Sequence, residues 1–228
     1  MMLSRFSAAP PSCRFAAGDV MIRRMCVVMM FLALPGAFGR GDAQEVLFED
    51  SFNGSLQPGW QWRRENPEGH RFVSGGLEIL AAPLAGSEAQ NVLVRPFPIC
   101  GGPFNVEAQI TCLNKPTTQY QQGGIYWLRD GRVMFKLVHE YVDGQTYIFP
   151  GKIPVDARTV NLRIISSGDD VIAEYSADGD SAYRRVYEGK LSPDGRDEIG
   201  VQCWNGPSDA RDQHWYRFKR FRVVRAGQ

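Results

Sequence analysis

The sequence predicts an all-β protein, a two-sheet antiparallel jelly-roll sandwich, and three observations support this prediction. Short runs rich in β-branched and aromatic residues follow one another from Glu45 to the end of the chain. Gly, Pro, Asn and Asp-Gly separate these runs, and the chain holds 24 glycines and 14 prolines for such turns. No segment keeps a helical apolar period, so helices are not expected. Antiparallel strands of this kind close two sheets on one core.

Twelve strand-like runs make up the predicted sandwich. Each run ends at a Gly, Pro, Asn or Asp-containing stretch, and the clearest boundaries are Asp130-Gly131 and Asp143-Gly144, which are typical of tight hairpin turns. In chain order the runs lie at 45–52, 71–81, 91–97, 104–113, 123–129, 132–142, 145–149, 159–168, 170–179, 182–189, 198–205 and 214–224.

The first 43 residues are predicted to be a targeting segment ahead of a single domain at 44–228. Two arginines precede an apolar run at 25–37, and small residues follow it. This order is typical of a secretory signal peptide, and the run is short for a membrane span. Cleavage is expected after Gly39 or Ala43, with a start-site extension before Met21; an uncleaved anchor is the alternative. We therefore expect a secreted, periplasmic or cell-envelope protein.

The charge of the predicted mature domain disfavours some classes of partner. The first 43 residues hold five of the 26 basic and two of the 25 acidic residues, which leaves 21 basic and 23 acidic side chains. A near-neutral domain has no overall electrostatic attraction to nucleic acid or anionic lipid. We expect a neutral or weakly charged partner, no nucleic acid, and no membrane insertion after signal removal.

Three cysteines remain in the predicted domain, Cys100, Cys112 and Cys203. Their spacing does not resemble a zinc or redox motif. Cys112 and Cys203 both alternate with apolar residues, which predicts that they face the core. They form either a disulfide across the core or two buried free thiols.

The central hairpins define a candidate binding face. A two-residue turn at Asp130-Gly131 pairs Trp127 with Met134, Ile125 with Lys136 and Gln121 with Glu140, and the Asp143-Gly144 turn pairs Glu140 with Tyr147 and Val138 with Phe149. The opposite, core-facing side is then predicted to hold Tyr126, Leu128, Val133, Phe135, Leu137 and Ile148.

The pairing predicts a polar face that carries aromatic residues, and Trp204 extends it because Trp204 points away from Cys203. Aromatic rings stack on sugars while amides and charged groups bond hydroxyls, so the predicted ligand is carbohydrate. The alternative is a solvated sheet face with an ion pair worth at most about 1 kcal/mol. The predicted ligand-binding residues are Gln121, Trp127, Lys136, Glu140, Tyr147 and Trp204.

A family resemblance adds to this interpretation. In the stretch at 119–144, Gln and Gly precede a strand and an Asp lies in the following turn. A Lys comes next, then a Glu four residues later and an Asp-Gly. A later YSADG turn and the run IGVQCWN complete the pattern. These motifs are similar to the concanavalin A-like domain at the C-terminus of many β-xylosidases and in free-standing uncharacterised relatives. The resemblance covers most of 48–223.

The resemblance implies a lectin- or glucanase-type sandwich whose concave face is associated with carbohydrate. It matches Gln122, Lys136, Glu140, Asp143 and Gly144 to the polar pattern of the family. After Phe149 the sequence departs from the family, because the Ser-Asp-Trp of many relatives is absent.

Related sandwiches commonly hold calcium near the first strand, where Glu49, Asp50 and Asn53 offer oxygen atoms. Lys219 and Arg220 stand where a final acidic ligand is expected, and two cations oppose Ca²⁺ binding. No cofactor is therefore expected, and calcium is not favoured. The basic residues of the last strand are predicted either to attract acidic sugars or to protect a sheet edge from pairing with another chain.

Catalysis is the first alternative to binding. Retaining glycosidases on this fold often carry Glu-x-Asp-x-Glu on one strand, and no such motif occurs, so Glu107 and Glu140 would have to meet from different strands. A lyase would use His139, Tyr141, Lys136 or Arg132, although His139 has the opposite strand parity from Lys136.

The predicted function is thus an exported carbohydrate-binding, lectin-like domain. The alternatives are a glycoside hydrolase or polysaccharide lyase on the same fold, and a non-catalytic structural or protein-interaction domain. The sequence does not identify the glycan or the oligomeric state.

Overall fold

A computed structural model of the chain describes residues 44–81, 89–98, 102–205 and 213–225. The predicted signal peptide and Cys100 lie outside the described residues. Within those ranges the chain forms fifteen strands and a short 3-10 helix at Pro67–Gly69. The strands are β1 (Glu45–Asp50), β2 (Gln61–Arg63), β3 (His70–Val73), β4 (Gly76–Ala81), β5 (Val92–Pro96), β6 (Phe104–Cys112), β7 (Gln121–Arg129), β8 (Arg132–Val142), β9 (Gln145–Phe149), β10 (Ile153–Pro154), β11 (Thr159–Ser167), β12 (Asp170–Ala177), β13 (Arg184–Lys190), β14 (Asp197–Asn205) and β15 (His214–Arg225).

The strands form two antiparallel sheets, as the alternating pattern predicts. One sheet has eight strands. Seven of them lie in the order β13-β12-β11-β6-β15-β4-β3, and the eighth, β1, pairs with the C-terminal part of β15 on the same side as β4. The other has seven strands in the order β10-β9-β8-β7-β14-β5-β2. The predicted two-sheet sandwich is therefore confirmed.

All twelve predicted runs contain a strand, and the run at 71–81 contains the β3–β4 hairpin. β2 and β10 were not predicted, because strands of three and two residues are too short to show an alternation. The core lies between the inner faces of the two sheets. It includes Val106, Ile110 and Phe218 of the eight-stranded sheet and Ile125 and Leu137 of the seven-stranded sheet.

The β7–β8 hairpin corrects the predicted pairing. The two-residue turn is confirmed, since Arg129 pairs with Arg132 and both Asp130 and Gly131 have positive φ. Consecutive β7 residues Trp127 and Leu128 face Phe135 and Val133, so Met134 of β8 is the extra residue of a β-bulge that shifts the register by one residue.

The remainder of the hairpin therefore pairs differently from the prediction. Trp127 lies opposite Phe135, Tyr126 opposite Lys136, and Gln122 opposite Glu140. The predicted partners Met134, Ile125 and Gln121 are wrong because the bulge interrupts the regular ladder on which that pairing depends.

The shift exchanges the faces of β7, as a one-residue slip must. Trp127 faces the core, where its ring stacks on Phe97 with centroids 4.0 Å apart. Tyr126 and Leu128, predicted to face the core, belong instead to a smaller apolar cluster on the outer face of the seven-stranded sheet. Val133 is exposed rather than buried. The β8 and β9 residues Phe135, Leu137 and Ile148 face the core as predicted.

The β8–β9 hairpin has the predicted register, with Glu140 opposite Tyr147 and Val138 opposite Phe149. Asp143 and Gly144 supply the positive φ angles of its turn. The Gln119 side chain is hydrogen-bonded to that turn. Its Nε2 donates to Asp143 Oδ1 at 2.8 Å, and its Oε1 accepts from the Asp143 backbone N–H at 2.8 Å. Asp143, which the family resemblance had matched, therefore holds the turn against the segment before β7.

Cys112 and Cys203 are buried as predicted, and both are free thiols. They lie in different sheets, and packed sheets are about 10 Å apart, beyond the roughly 7 Å between Cα atoms that a disulfide spans. Burial raises the pKa of Cys112 to about 12 and that of Cys203 well above its ordinary range. Among the residues described, no helix has both the length and the apolarity to cross a membrane.

Candidate functional site

The outer face of the seven-stranded sheet carries a hydrogen-bonded network of Gln122, Tyr126, Lys136 and Glu140. The Lys136 ammonium donates to Gln122 Oε1 at 2.7 Å and to Glu140 Oε2 at 3.2 Å. The Gln122 amide donates to Glu140 Oε1 at 3.1 Å, and the Tyr126 hydroxyl donates to Gln122 Oε1 at 2.9 Å. The lysine and glutamate that interrupt the apolar β8 therefore form one network.

Strand geometry explains how these side chains meet. Lys136 and Glu140 point to the same face but lie about 13 Å apart along the backbone, so their side chains lean toward each other across Val138. Gln122 stands directly opposite Glu140 on β7 and reaches both partners. The β-bulge at Met134 of β8 sets Gln122, rather than the predicted Gln121, opposite Glu140 on this face.

The network leaves few polar groups free for a ligand. Both Gln122 N–H groups are engaged, by Glu140 Oε1 and the Tyr120 carbonyl, and its oxygen already accepts two bonds. Lys136 uses two of its three N–H donors and is 36% exposed. Gln122 is therefore a positioning residue, and the remaining Lys136 donor and the spare lone pairs of Glu140 are available to a ligand.

Burial controls the titration of Glu140, which is only 5% exposed. Loss of solvent raises the pKa of this carboxyl, and the charge and hydrogen bond of Lys136 offset part of the rise.

We predict that Lys136→Met raises the pKa of Glu140 further, because it removes both effects that lower it. Titration of the Glu140 carboxyl carbon by NMR measures the change, with Lys152→Met as a control that removes a lysine from outside the network. An unchanged or lower Glu140 pKa in Lys136→Met would contradict the ion pair.

Aromatic rings border the network on two sides. Tyr120 and Trp204 lie nearly parallel, with centroids 6.5 Å apart and planes at 22°, and Tyr120 is 44% exposed. On the other side Tyr147 packs edge-on against Phe149 at 6.1 Å, and Lys152 Nζ lies 5.5 Å from the Tyr147 ring centroid.

A cavity of about 260 Å³ opens between Trp204 and the network. It is lined by Ala89, Gln122, Tyr126, Lys136, Gln202 and Trp204, together with Val133. The cavity combines apolar and aromatic surface with a small number of polar groups, which is typical of a small-molecule site.

The structure brings four of the six predicted residues to one face: Lys136, Glu140, Tyr147 and Trp204. It does not bring Trp127 or Gln121 there. Trp127 is in the core, and the buried Gln121 accepts from the backbone of Thr117 and Thr118 at 2.8 and 3.1 Å. Sequence reasoning from strand parity missed Gln122, Tyr126 and Tyr120, although the family pattern had matched Gln122.

Of the residues considered for catalysis, Lys136 contacts Glu140, whereas Glu107 and His139 do not share its face. Glu107 lies on the other sheet, where Arg163 and Arg222 contact its carboxylate at 3.0 and 2.6 Å. His139 faces the core as its parity predicts, and burial lowers its pKa to about 4.

Two of the three residues considered for calcium, Asp50 and Glu49, are engaged in other contacts. The Asp50 carboxylate accepts from the backbone of Phe52 and Gln57 and from the Trp60 indole at 2.7 to 2.9 Å, and Glu49 pairs with Arg220 at 2.9 Å. Across the described ranges no three His, Cys, Asp or Glu side chains are grouped to hold a metal.

Solved structures share this fold. The chain matches the GH43 protein BlXynB from Bacillus licheniformis at a TM-score of 0.61 and 16% identity, over 78% of this chain and 39% of that one. A bifunctional GH43-CE protein from Bacteroides eggerthii matches at a TM-score of 0.65 and 14% identity, over 80% of this chain and 26% of that one. A functionally unknown protein from Saccharomyces cerevisiae matches at a TM-score of 0.55 and 13% identity, over 74% of this chain and 97% of that one.

These likenesses establish the fold as a concanavalin A-like β-sandwich. The resemblance to β-xylosidase-associated domains and a free-standing relative is confirmed at that level. The chain spans about two fifths of the Bacillus protein and a quarter of the Bacteroides protein, and nearly the whole yeast protein. No protein-family model matches the sequence, and no curated protein matches it.

Proposed function

We propose that the outer face of the seven-stranded sheet binds carbohydrate. The observation that supports this most strongly is the Lys136–Glu140–Gln122 network beside the Tyr120–Trp204 rings. A pyranose stacked on Trp204 would place a hydroxyl oxygen against the free Lys136 N–H and a hydroxyl proton against Glu140. The GH43 proteins that share the fold support sugar as the class of ligand.

The surroundings of Glu140 favour binding over hydrolysis. A glycosidase needs a second carboxylate about 5 to 10 Å from the first. The described positions around Glu140 on this face are Gln122, Tyr147, Val138, Val142 and Trp204, and none is acidic.

Among the described strand positions of this face, the next carboxylate is Glu198, which lies opposite Leu128. Leu128 is six residues from Gln122, which stands opposite Glu140, so Glu198 lies about 20 Å along the sheet from Glu140. Glu198 is also paired with Arg63. The arrangement therefore suits recognition of an intact glycan.

We predict that Trp204→Ala weakens binding of the recognised polysaccharide by at least about tenfold, because the ring supplies the stacking surface. Affinity electrophoresis against plant and algal polysaccharides identifies the ligand, and release of reducing or unsaturated ends is followed in parallel. Trp215→Ala is the matched control, since Trp215 lies on the outer side of the other sheet beneath Arg71.

Equal loss of affinity in the two tryptophan variants would contradict the proposed face. Product release that Glu140→Gln abolishes would show that the domain is an enzyme and overturn the binding role.

We also propose that the protein is exported and that the domain begins after Gly39 or Ala43. The basic, apolar and small-residue order of the first 43 residues supports this. N-terminal sequencing of the protein recovered from the cell envelope or medium is expected to begin at Arg40 or Gln44. Recovery of the intact N-terminus from a membrane pellet would instead indicate an anchor.

A further inference from the structure

The outer face of the eight-stranded sheet has a second groove, remote from the proposed sugar site. Its volume is about 500 Å³, in the range of small-molecule sites. The floor includes Gln109, Asn161 and Ser176, side chains of three adjacent strands joined by hydrogen bonds of 3.1 and 3.2 Å. The side walls come from the segment after β12, including Tyr183, and from β15.

A β-bulge in β15 shapes the basic wall of this groove. Phe218 pairs with Ile110 and Arg220 with Gln109, so Lys219 is the extra residue. Phe218 and Phe221 on either side are fully buried, while both residues between them are exposed. The bulge therefore places two consecutive cations on the outer face, where an unbroken strand would turn one of them inward.

The two cations differ in their partners. Arg220 pairs with Glu49 at 2.9 Å, whereas Lys219 has no ion pair or hydrogen bond to any other described residue. Its neighbour Arg222 is already paired with Glu107 at 2.6 Å. The other basic residues of β15, Arg217 and Arg225, contact Glu78 and Glu45. Lys219 is therefore the β15 cation that remains available to an external anion.

The basic residues of β15 do not protect a sheet edge, because β15 is not an edge strand. The strand lies inside the sheet, with β6 on one side and β4 and β1 on the other. The predicted edge-protecting role is therefore wrong.

We propose that this groove binds the anionic group of an acidic polysaccharide, with Lys219 contacting the anion and the Gln109–Asn161–Ser176 row bonding adjacent hydroxyls. Sulfate esters and carboxylates share the required chemistry, three or two oxygen acceptors at the end of a neutral sugar scaffold. The near-neutral domain favours such a local site over the extended phosphate contacts of nucleic acid. This inference does not depend on the site at Trp204.

The test uses one backbone in three forms: dextran, carboxymethyl dextran and dextran sulfate, titrated into the full chain by calorimetry at low ionic strength. One or both charged forms are expected to bind more tightly than dextran, and the form that does so identifies carboxylate or sulfate as the anion. Lys219→Gln is expected to weaken that binding about fivefold, the value of one ion pair, without changing the affinity for dextran.

Lys115→Gln is the matched control, because Lys115 is an exposed lysine of the segment between β6 and β7 and lies outside this groove. It is expected to change the affinity less than twofold, and Trp204→Ala is expected to leave the charged forms bound. Equal losses in Lys219→Gln and Lys115→Gln would show diffuse attraction and overturn the site, as would equal affinities for all three dextrans. Binding of a single-stranded oligonucleotide with the same Lys219 dependence would overturn the assignment to polysaccharide.

Discussion

Trp127→Ala is expected to lower the free energy of unfolding by about 3 to 5 kcal/mol, the usual cost of removing a large buried aromatic side chain. Trp127 is fully buried and stacks on Phe97, so its removal leaves a cavity between the sheets. Urea unfolding followed by circular dichroism measures the change.

Trp204→Ala is the matched comparison for stability, since Trp204 is only partly buried on the outer face. It is expected to cost about 1 kcal/mol and to affect glycan affinity instead. If Trp127→Ala remained as stable as the wild type but lost glycan binding, Trp127 would belong to the binding face and the β8 bulge at Met134 would be wrong.

Acidification is expected to destabilise the domain through two buried histidines. Burial lowers the pKa of His139 to about 4 from an ordinary 6.5, and the charge of nearby His214 adds to the effect. His214 also has a pKa of about 4, mainly through burial, and Arg158 contributes. Both imidazoles are therefore neutral in the folded protein at pH 5, whereas they are protonated in the unfolded chain.

The sign follows from proton binding. Between pH 6.5 and 4 the unfolded chain binds more protons than the folded protein, so stability is full above about pH 6.5 and falls as the pH is lowered. Each histidine is expected to cost about 2 kcal/mol between pH 7.5 and pH 5, and about 3 kcal/mol in total by pH 4. Urea unfolding at pH 7.5, 6 and 5 measures the slope.

His139→Gln and His214→Gln are each expected to remove a large part of that pH dependence, while His70→Gln leaves both core imidazoles in place. Glu140, whose pKa is raised, contributes with the opposite sign, and comparison of each variant with the wild type cancels its effect. An identical pH slope in the wild type and both core variants would show that these histidines are not buried as neutral imidazoles.

The sequence predicted the sandwich because the signals for strands and turns are local. Asp130-Gly131 and Asp143-Gly144 specify two hairpin turns, and the β8–β9 pairing follows directly from the second. The inward parity of Cys112, Cys203 and His139 could be predicted for the same reason, since alternation within a strand requires no knowledge of its partners.

The composition of the site depended on information that local patterns do not contain. The β-bulge at Met134 of β8 exchanges Gln121 for Gln122 on the outer face and places Trp127 in the core, where Phe97 from a distant segment packs on it. A polar residue stands at both 121 and 122, so neither parity has an evident advantage in the sequence. The bulge at Lys219, by contrast, has a local signal, because the two phenylalanines of RFKRF are three residues apart and a regular strand would not turn both of them to the core.

The most direct test of the proposed sugar face follows the indole N–H signals of the five tryptophans by NMR while the recognised oligosaccharide is added. Trp204 is expected to shift with the ligand, together with the amides of Gln122 and Glu140, while buried Trp127 and the opposite-sheet Trp215 stay in place. A titration that moves Trp215, Trp60 or Trp62 and leaves Trp204 unchanged would contradict the account.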